Sequence, residues 1–155
     1  MKPIVAVVGG TFDELHAGHM KLIQTAFTIG DRILIGLSTD EFAMRSKRRR
    51  VNPYEVRKRR LVSLIDNSSW SRGKKYEIFP INDVYGPTIE IEDIDIIIVS
   101  VETFGGAIKI NEERVRRGFR PLAIHVINMV ETERGEKISS SEILRKLKDV
   151  WGRDI

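Results

Sequence analysis

The chain has 155 residues, of which 41% are hydrophobic and 31% are charged, and its formal net charge is +4. This length and apolar content are typical of one domain with one core, and the mixed charges differ from the uniform polycation of a protein that coats nucleic acid. Cysteine is absent, which excludes disulfides and thiolate chemistry, and no apolar stretch is long enough to span a membrane. We therefore expect a single domain over residues 1–155, located in the cytoplasm, with neither membrane nor nucleic acid as a partner.

The first half of the chain alternates between short apolar runs and amphipathic stretches. The first run is β-branched and ends in two glycines, which is typical of a strand buried on both faces. Hydrophobic periodicity and capping residues predict strands over 4–8 and 32–37 and helices over 18–29 and about 52–66. Between the second strand and the second helix we expect a polar, basic connection that extends through Arg50.

The second half continues the alternation. Strands are expected over 76–81, 95–99 and 122–129, and a helix begins at Gly105 or Gly106 and extends through Arg117. A last helix begins at the serine run 139–141, because Ser139 and Glu142 have the spacing of a capping box. Strands alternating with helices imply right-handed crossovers, so the sequence predicts an α/β fold with a doubly wound, parallel, five-stranded sheet of the Rossmann-like type.

Ligands of such sheets bind beyond the carboxyl ends of the strands, and the loop 9–19 lies there. It places His16 and His19 three residues apart at the start of a helix, where unsatisfied N–H groups favour a phosphate. Two other interpretations stay open. The histidines could form half of a metal site, although no third ligand is obvious because His125 lies within a strand, or they could be ordinary surface residues.

Two motifs in this chain resemble known signatures. Gly10-Thr11-Phe12-Asp13 with His16-Ala17-Gly18-His19, and later Ile138-Ser139-Ser140-Ser141, resemble the paired signatures of cytidylyltransferase-like nucleotidyltransferases. One position departs from the second signature, since Leu144 occupies the place of its arginine and Arg145 follows. The resemblance implies the Rossmann-like nucleotidyltransferase fold and direct in-line transfer of a nucleotidyl group.

The segment 99–122 is similar to the archaeal and eukaryotic type of phosphopantetheine adenylyltransferase. That resemblance implies ATP and phosphopantetheine as partners, dephospho-coenzyme A and pyrophosphate as products, and Mg²⁺ accompanying ATP. Other acceptors remain open, because Thr39-Asp40-Glu41-Phe42 and Tyr54-Glu55-x-Arg57 also occur in glycerol-phosphate cytidylyltransferases. Adenylyl transfer to flavin or nicotinamide mononucleotide and a non-catalytic nucleotide-binding module are the further alternatives.

The resemblance also implies roles for individual residues. Catalysis is assigned to His16, His19 and Lys47, with no resident metal site. Nucleotide binding is assigned to Gly10, Phe12, His16, Gly18, His19, Ser139, Ser140 and Ser141. Binding of the acceptor is assigned to Thr11, Lys47 and Arg114, of which Arg114 could instead lie on a solvated helix face.

The basic run 45–50 carries Lys47, which resembles the family's catalytic lysine in position. The neighbouring Arg48, Arg49 and Arg50 could equally form a solvated loop. A nucleic-acid patch would continue from this run through residues 57–60, but aromatic interleaving is missing. Residues 57–60 therefore fit a solvated helix face.

Overall fold

The computed structural model describes residues 2–47 and 49–128. Its strands are β1 (Val5–Gly10), β2 (Arg32–Ser38), β3 (Lys75–Ile81), β4 (Ile96–Val99) and β5 (Ala123–Val126). Its helices are α1 (Ala17–Ile29), α2 (Asp40–Lys47), α3 (Tyr54–Asp66) and α4 (Phe104–Arg116). Short 3-10 turns occupy Gly86–Ile89 and Val101–Thr103. The predictions for Arg48, for the serine run 139–141, for Leu144 and Arg145, and for the last helix lie outside the described residues.

All five strands are parallel, and their order across the sheet is β3-β2-β1-β4-β5. Alternate residues of each strand point to opposite faces, so Val8 packs in one apolar core with α1 and α3, whereas Val7 packs in a second core with α4. Helices thus cover both faces, and the predicted doubly wound sheet is confirmed. No helix in the described ranges is long and apolar enough to cross a membrane.

Helix α2 corrects one prediction, because residues 40–47 were expected to belong to a polar connection. The Thr39 hydroxyl accepts a hydrogen bond from the Phe42 N–H at 3.1 Å and so caps the helix. Glu41 and Arg45 form an ion pair one turn apart at 2.9 Å, with the acid near the N-terminus and the base near the C-terminus. The capping residue and the ion pair were both present in the sequence, but without an apolar stripe they were not recognised as a helix.

Two arginines are the largest fully buried side chains of the described residues. Arg57 lies at the carboxyl edge of the sheet, since it donates to the carbonyls of Thr11 and Ser38, which follow or end β1 and β2. Arg114 lies at the opposite edge, where it donates to the carbonyl of Glu92 before β4 and to that of Arg120 before β5. The expectation that Arg57 and Arg114 occupy solvated or ligand-facing helix surfaces is therefore wrong in both cases.

Candidate active site

A cavity of about 610 Å³ opens at the carboxyl edge of the sheet, between the ends of β1 and β4. These two strands are neighbours, but the chain winds outward from them in opposite directions, so the cavity lies at the topological switch point. The loop 9–14 and the start of α1 form one wall, and residues 100–103 form another. Lys47 and Arg49 approach from the end of α2 and the segment after it.

The loop after β1 takes its shape from Gly10 and Phe12. Phe12 has a positive φ of 47°, which is strained for a residue with a side chain, and its ring is buried. A Cβ on Gly10 would lie 3.2 Å from the Phe12 ring, so glycine at position 10 leaves room for that ring. The ring meets the His19 imidazole edge to face, with centroids 5.4 Å apart, and so supports one side of His19.

The arrangement of the two histidine rings depends on the local geometry at Gly18. His16 is the N-cap of α1, and its Nδ1 accepts a hydrogen bond from the Gly18 N–H at 3.0 Å. A Cβ on Gly18 would lie only 2.9 Å from Cε1 of His16, so only glycine lets the imidazole fold back over the turn. The His16 and His19 rings then stack, with centroids 3.8 Å apart and planes inclined by 21°.

His19 is neutral at pH 7 in this arrangement. Its Nδ1 lies 3.0 Å from the carbonyl oxygen of Glu14 and 3.4 Å from the backbone nitrogen of His16. The carbonyl can only accept and is the nearer of the two, so it favours the neutral tautomer in which Nδ1 carries the proton. Burial lowers the pKa of His19 to about 4, and the nearby His16 and Lys47 act in the same direction. Nε2 is then the nitrogen that can meet a phosphate oxygen, and it can donate to that oxygen once an anion makes protonation of the ring favourable.

Asp13 joins this loop to the segment that follows α2. Asp13 is 7% exposed as a residue, and its carboxylate accepts from Arg49 Nη1 at 3.0 Å, from the Asn52 N–H at 2.8 Å and from Asn52 Nδ2 at 2.9 Å. Burial alone would raise the pKa of Asp13, but the hydrogen bonds from Asn52 and Arg49 outweigh it and lower that pKa. The carboxylate therefore stays ionised and holds Arg49 at the cavity.

The structure brings most of the predicted site residues in its described part to one cavity. The predicted site residues that line this cavity are Gly10, Thr11, Phe12, His16, Gly18, His19 and Lys47. Arg114 does not join them, because its guanidinium is fully buried at the other edge of the sheet, where it donates to backbone carbonyls. The predicted contact between Arg114 and the acceptor is thus replaced by a structural role.

Sequence reasoning missed two parts of the cavity wall. For Arg49 the sequence left a solvated loop and a role in the site equally open, and its partner Asp13 was noted only as part of a motif. The turn after β4 begins at Ser100, whose hydroxyl takes part in a capping box with Thr103. Serine and threonine three residues apart are the local signal for such a cap. In residues 2–47 and 49–128 no group of three or more His, Cys, Asp or Glu side chains could hold a metal ion.

Stacked histidines at a helix N-terminus and a glycine loop at the switch point of an α/β sheet are features that suit phosphate groups. The chain belongs to the cytidylyltransferase-like family, whose model matches residues 7–146. This membership confirms the resemblance drawn from the two signature motifs.

Relatives within the family carry a more specific name. The chain is 44% identical to a phosphopantetheine adenylyltransferase of Methanopyrus kandleri, over 88% of this chain and 86% of that protein. It is 45% identical to one of Methanosarcina acetivorans, over 97% and 95% of the two chains. A solved structure of a protein of unknown function from Archaeoglobus fulgidus superposes with a TM-score of 0.73 at 32% identity, covering 88% of this chain and all of the other.

Proposed function

We propose that this protein transfers the adenylyl group of ATP to 4'-phosphopantetheine, which yields dephospho-coenzyme A and pyrophosphate. The observation that carries the proposal is the single cavity that collects Thr11, His16, His19 and Lys47. Relatives at 38% to 45% identity over most of the chain are named for the same activity. The cavity volume also falls within the range of roughly 300 to 1,000 Å³ that small-molecule sites occupy.

The reaction is a direct displacement at the α-phosphorus of ATP. A terminal phosphate oxygen of phosphopantetheine forms a bond to that phosphorus, and the bond to the bridging oxygen of pyrophosphate breaks, with the electron pair leaving on pyrophosphate. The attacking phosphate is already ionised at neutral pH, so no general base is required. The protein's contribution is alignment of two polyanions and neutralisation of the charge that builds at the transferring group.

Each cavity residue has a role that suits this chemistry. His19, once protonated by the approach of the polyanion, donates from Nε2 to the α-phosphate. His16 and the amides at the start of α1 hold the other phosphates of the nucleotide. Lys47, at the end of α2, adds a positive charge that strengthens its contact as the transition state forms, and the Thr11 hydroxyl donates to the acceptor phosphate.

Magnesium enters this proposal as part of the substrate. The Mg²⁺ complex of ATP carries the ion on the β- and γ-phosphates, where it offsets their charge and favours departure of pyrophosphate. The roles of Ser139, Ser140 and Ser141 at the triphosphate remain predictions from the signature, as do the cytoplasmic location and the absence of a nucleic-acid partner.

A substrate panel tests the proposal. Purified protein with Mg²⁺ is given ATP or CTP together with phosphopantetheine, glycerol phosphate, flavin mononucleotide or nicotinamide mononucleotide, and pyrophosphate release is measured. We expect the largest kcat/KM for ATP with phosphopantetheine. Faster turnover of CTP with glycerol phosphate would show that the proposed acceptor and nucleotide are both wrong. If no pair releases pyrophosphate, a non-catalytic nucleotide-binding module would be favoured.

A further inference from the structure

Arg57, on helix α3, uses one guanidinium to join three separate segments of the chain. Nη1 donates to the carbonyl of Thr11 at 3.0 Å and to that of Ser38 at 2.8 Å. Nε donates to the carbonyl of Asn52 at 2.7 Å, and Nη2 donates to the Asp40 carboxylate at 2.8 Å. The side chain is 0% exposed, and its bond to the Ser38 carbonyl is fully buried, whereas the bonds to Thr11, Asn52 and Asp40 are partly buried.

The partners of Arg57 lie next to the residues proposed to meet substrate. Thr11 belongs to the cavity wall, and its carbonyl precedes Phe12, whose positive φ makes this stretch of backbone strained. Asn52 in turn donates twice to Asp13, which holds Arg49 at the cavity. Arg57 therefore contacts both the loop after β1 and the end of the segment that follows Lys47.

We propose that Arg57 is a positioning residue for the transfer reaction: it fixes the Thr11 peptide and the Asn52 end of the basic segment at the separation that the reaction needs. This inference rests on the proposed function. A planar guanidinium suits the task because its donors point in fixed, divergent directions and can reach four acceptors at once. A lysine in its place offers three donors on one point and cannot span the same set.

Arg57 acts without touching substrate, so its loss should separate rate from affinity. ATP would still find the amides and histidines at the start of α1, which Arg57 does not contact. The reacting groups would be misaligned, and a misplacement of about 1 Å by a substitution remote from the chemistry can cost on the order of 100-fold in rate. We therefore expect Arg57→Lys to lower kcat by roughly 10- to 100-fold with little change in KM for ATP.

The test compares two buried arginines of one chain. Arg57→Lys and Arg114→Lys both disturb a fully buried guanidinium bonded to backbone carbonyls, so both should lower the melting temperature. Only Arg57→Lys should lower kcat, measured well below both melting temperatures with whichever substrate pair the unmodified protein prefers. Arg59→Lys, on the exposed face of the same helix, is the surface control. A kcat unchanged in Arg57→Lys, or reduced equally in Arg114→Lys, would overturn the proposal.

A second pair of variants covers the case in which Arg57→Lys does not fold. Asp40 is half-exposed and accepts from Nη2, so Asp40→Ala should fold while loosening the guanidinium. We expect a several-fold loss of kcat in Asp40→Ala and none in Glu41→Ala, whose carboxylate pairs with Arg45 at the surface. Equal kcat in these two variants would contradict the positioning role.

Hydrogen exchange separates failure of this inference from failure of the proposed function. Amides of residues 10–13 and 49–52 should lose protection in Arg57→Lys, or in Asp40→Ala, but keep it in Arg114→Lys. This readout needs no turnover, so it stands even if the substrate panel yields no reaction. Unchanged protection in both Arg57→Lys and Asp40→Ala would overturn the inference by itself.

Discussion

The two edges of the sheet, at the amino and carboxyl ends of its strands, each contain a fully buried arginine, but the two arginines have different consequences for the site. Arg57 at the carboxyl edge and Arg114 at the amino edge donate to main-chain carbonyls in the loops next to the strands, such as those of Thr11 and Glu92. At the edge where the strands begin, these segments are short connections, and we expect Arg114 to contribute to stability alone. At the carboxyl edge the segments carry the cavity, so the same kind of bonding also sets the geometry of the site. Burial of a charged group therefore does not reveal its role, whereas its place relative to the strand ends does.

The largest loss of turnover is expected for His19→Ala. The imidazole donates to the group that gains charge, and removal of one such donor typically costs about 100- to 1000-fold in kcat. The melting temperature should change little, because His19 stands at a helix terminus and contributes little to either core. Steady-state pyrophosphate release and thermal melting provide the measurements. His125→Ala, on the exposed part of β5, is the matched control and should keep normal turnover.

Lys47→Ala should produce the next largest effect, a loss of roughly 10- to 100-fold in kcat with a smaller change in ATP affinity. A cation that engages the α-phosphate mainly in the transition state contributes little to ground-state binding. Calorimetric binding of MgATP beside kinetic assays separates the two quantities. Arg50→Ala, at an exposed position of the same segment, should behave as the unmodified protein. An equal loss of kcat in Arg49→Ala would remove the special role of Lys47.

Arg114→Lys should leave turnover unchanged and lower the free energy of unfolding by about 2 to 3 kcal/mol. The lysine cannot reach the carbonyls of Thr88, Ile91, Glu92 and Arg120 together, so some of them lose their partner in a buried setting. Denaturant unfolding measures the change in stability. A fall in kcat at temperatures below the melting transition would show that contacts at the amino edge of the sheet affect the cavity. It would contradict a purely structural role for Arg114.

The last effect concerns pH and the stability of the protein without ligand. The pKa of His19 is about 4 in the folded state and about 6.5 when the chain is unfolded, so the unfolded state binds more protons between these values. The free energy of unfolding should therefore fall as pH decreases from about 6.5 to about 4. Asp13 acts at lower pH, since its pKa lies below 3.8. The denaturant midpoint should change less with pH across this window for His19→Gln than for His125→Gln. Equal pH dependence in the two variants would contradict the neutral, half-buried state of His19.

Much of this organisation could be predicted from the sequence, because it depends on local patterns. Alternating apolar runs indicated the parallel sheet, and the glycines with His16 and His19 indicated the position of the cavity at its carboxyl edge. Tertiary contacts account for the errors. Arg57 was expected on a solvated helix face, and Arg114 was expected at the acceptor or on such a face. Their carbonyl acceptors lie 5 to 46 residues and 6 to 26 residues away in the chain, and no periodicity encodes such bonds.

Helix α2 is a different kind of error. Its cap Thr39 and the pair of Glu41 with Arg45 were visible, but only Ala43 is buried, so the apolar stripe that normally identifies a helix is absent. A short polar helix between a strand and a basic segment is recognised by its caps and charges and not by its hydrophobicity.

The most direct test of the central claim follows the α-phosphorus of ATP. The protein is incubated with phosphopantetheine, Mg²⁺ and ATP that carries ³²P at either the α- or the γ-position, and the products are separated. Adenylyl transfer predicts the α-label in dephospho-coenzyme A and the γ-label in pyrophosphate, with both signals lost in His19→Ala. An α-label that stays in AMP or ADP, or a γ-label that appears on the pantetheine product, would contradict the account.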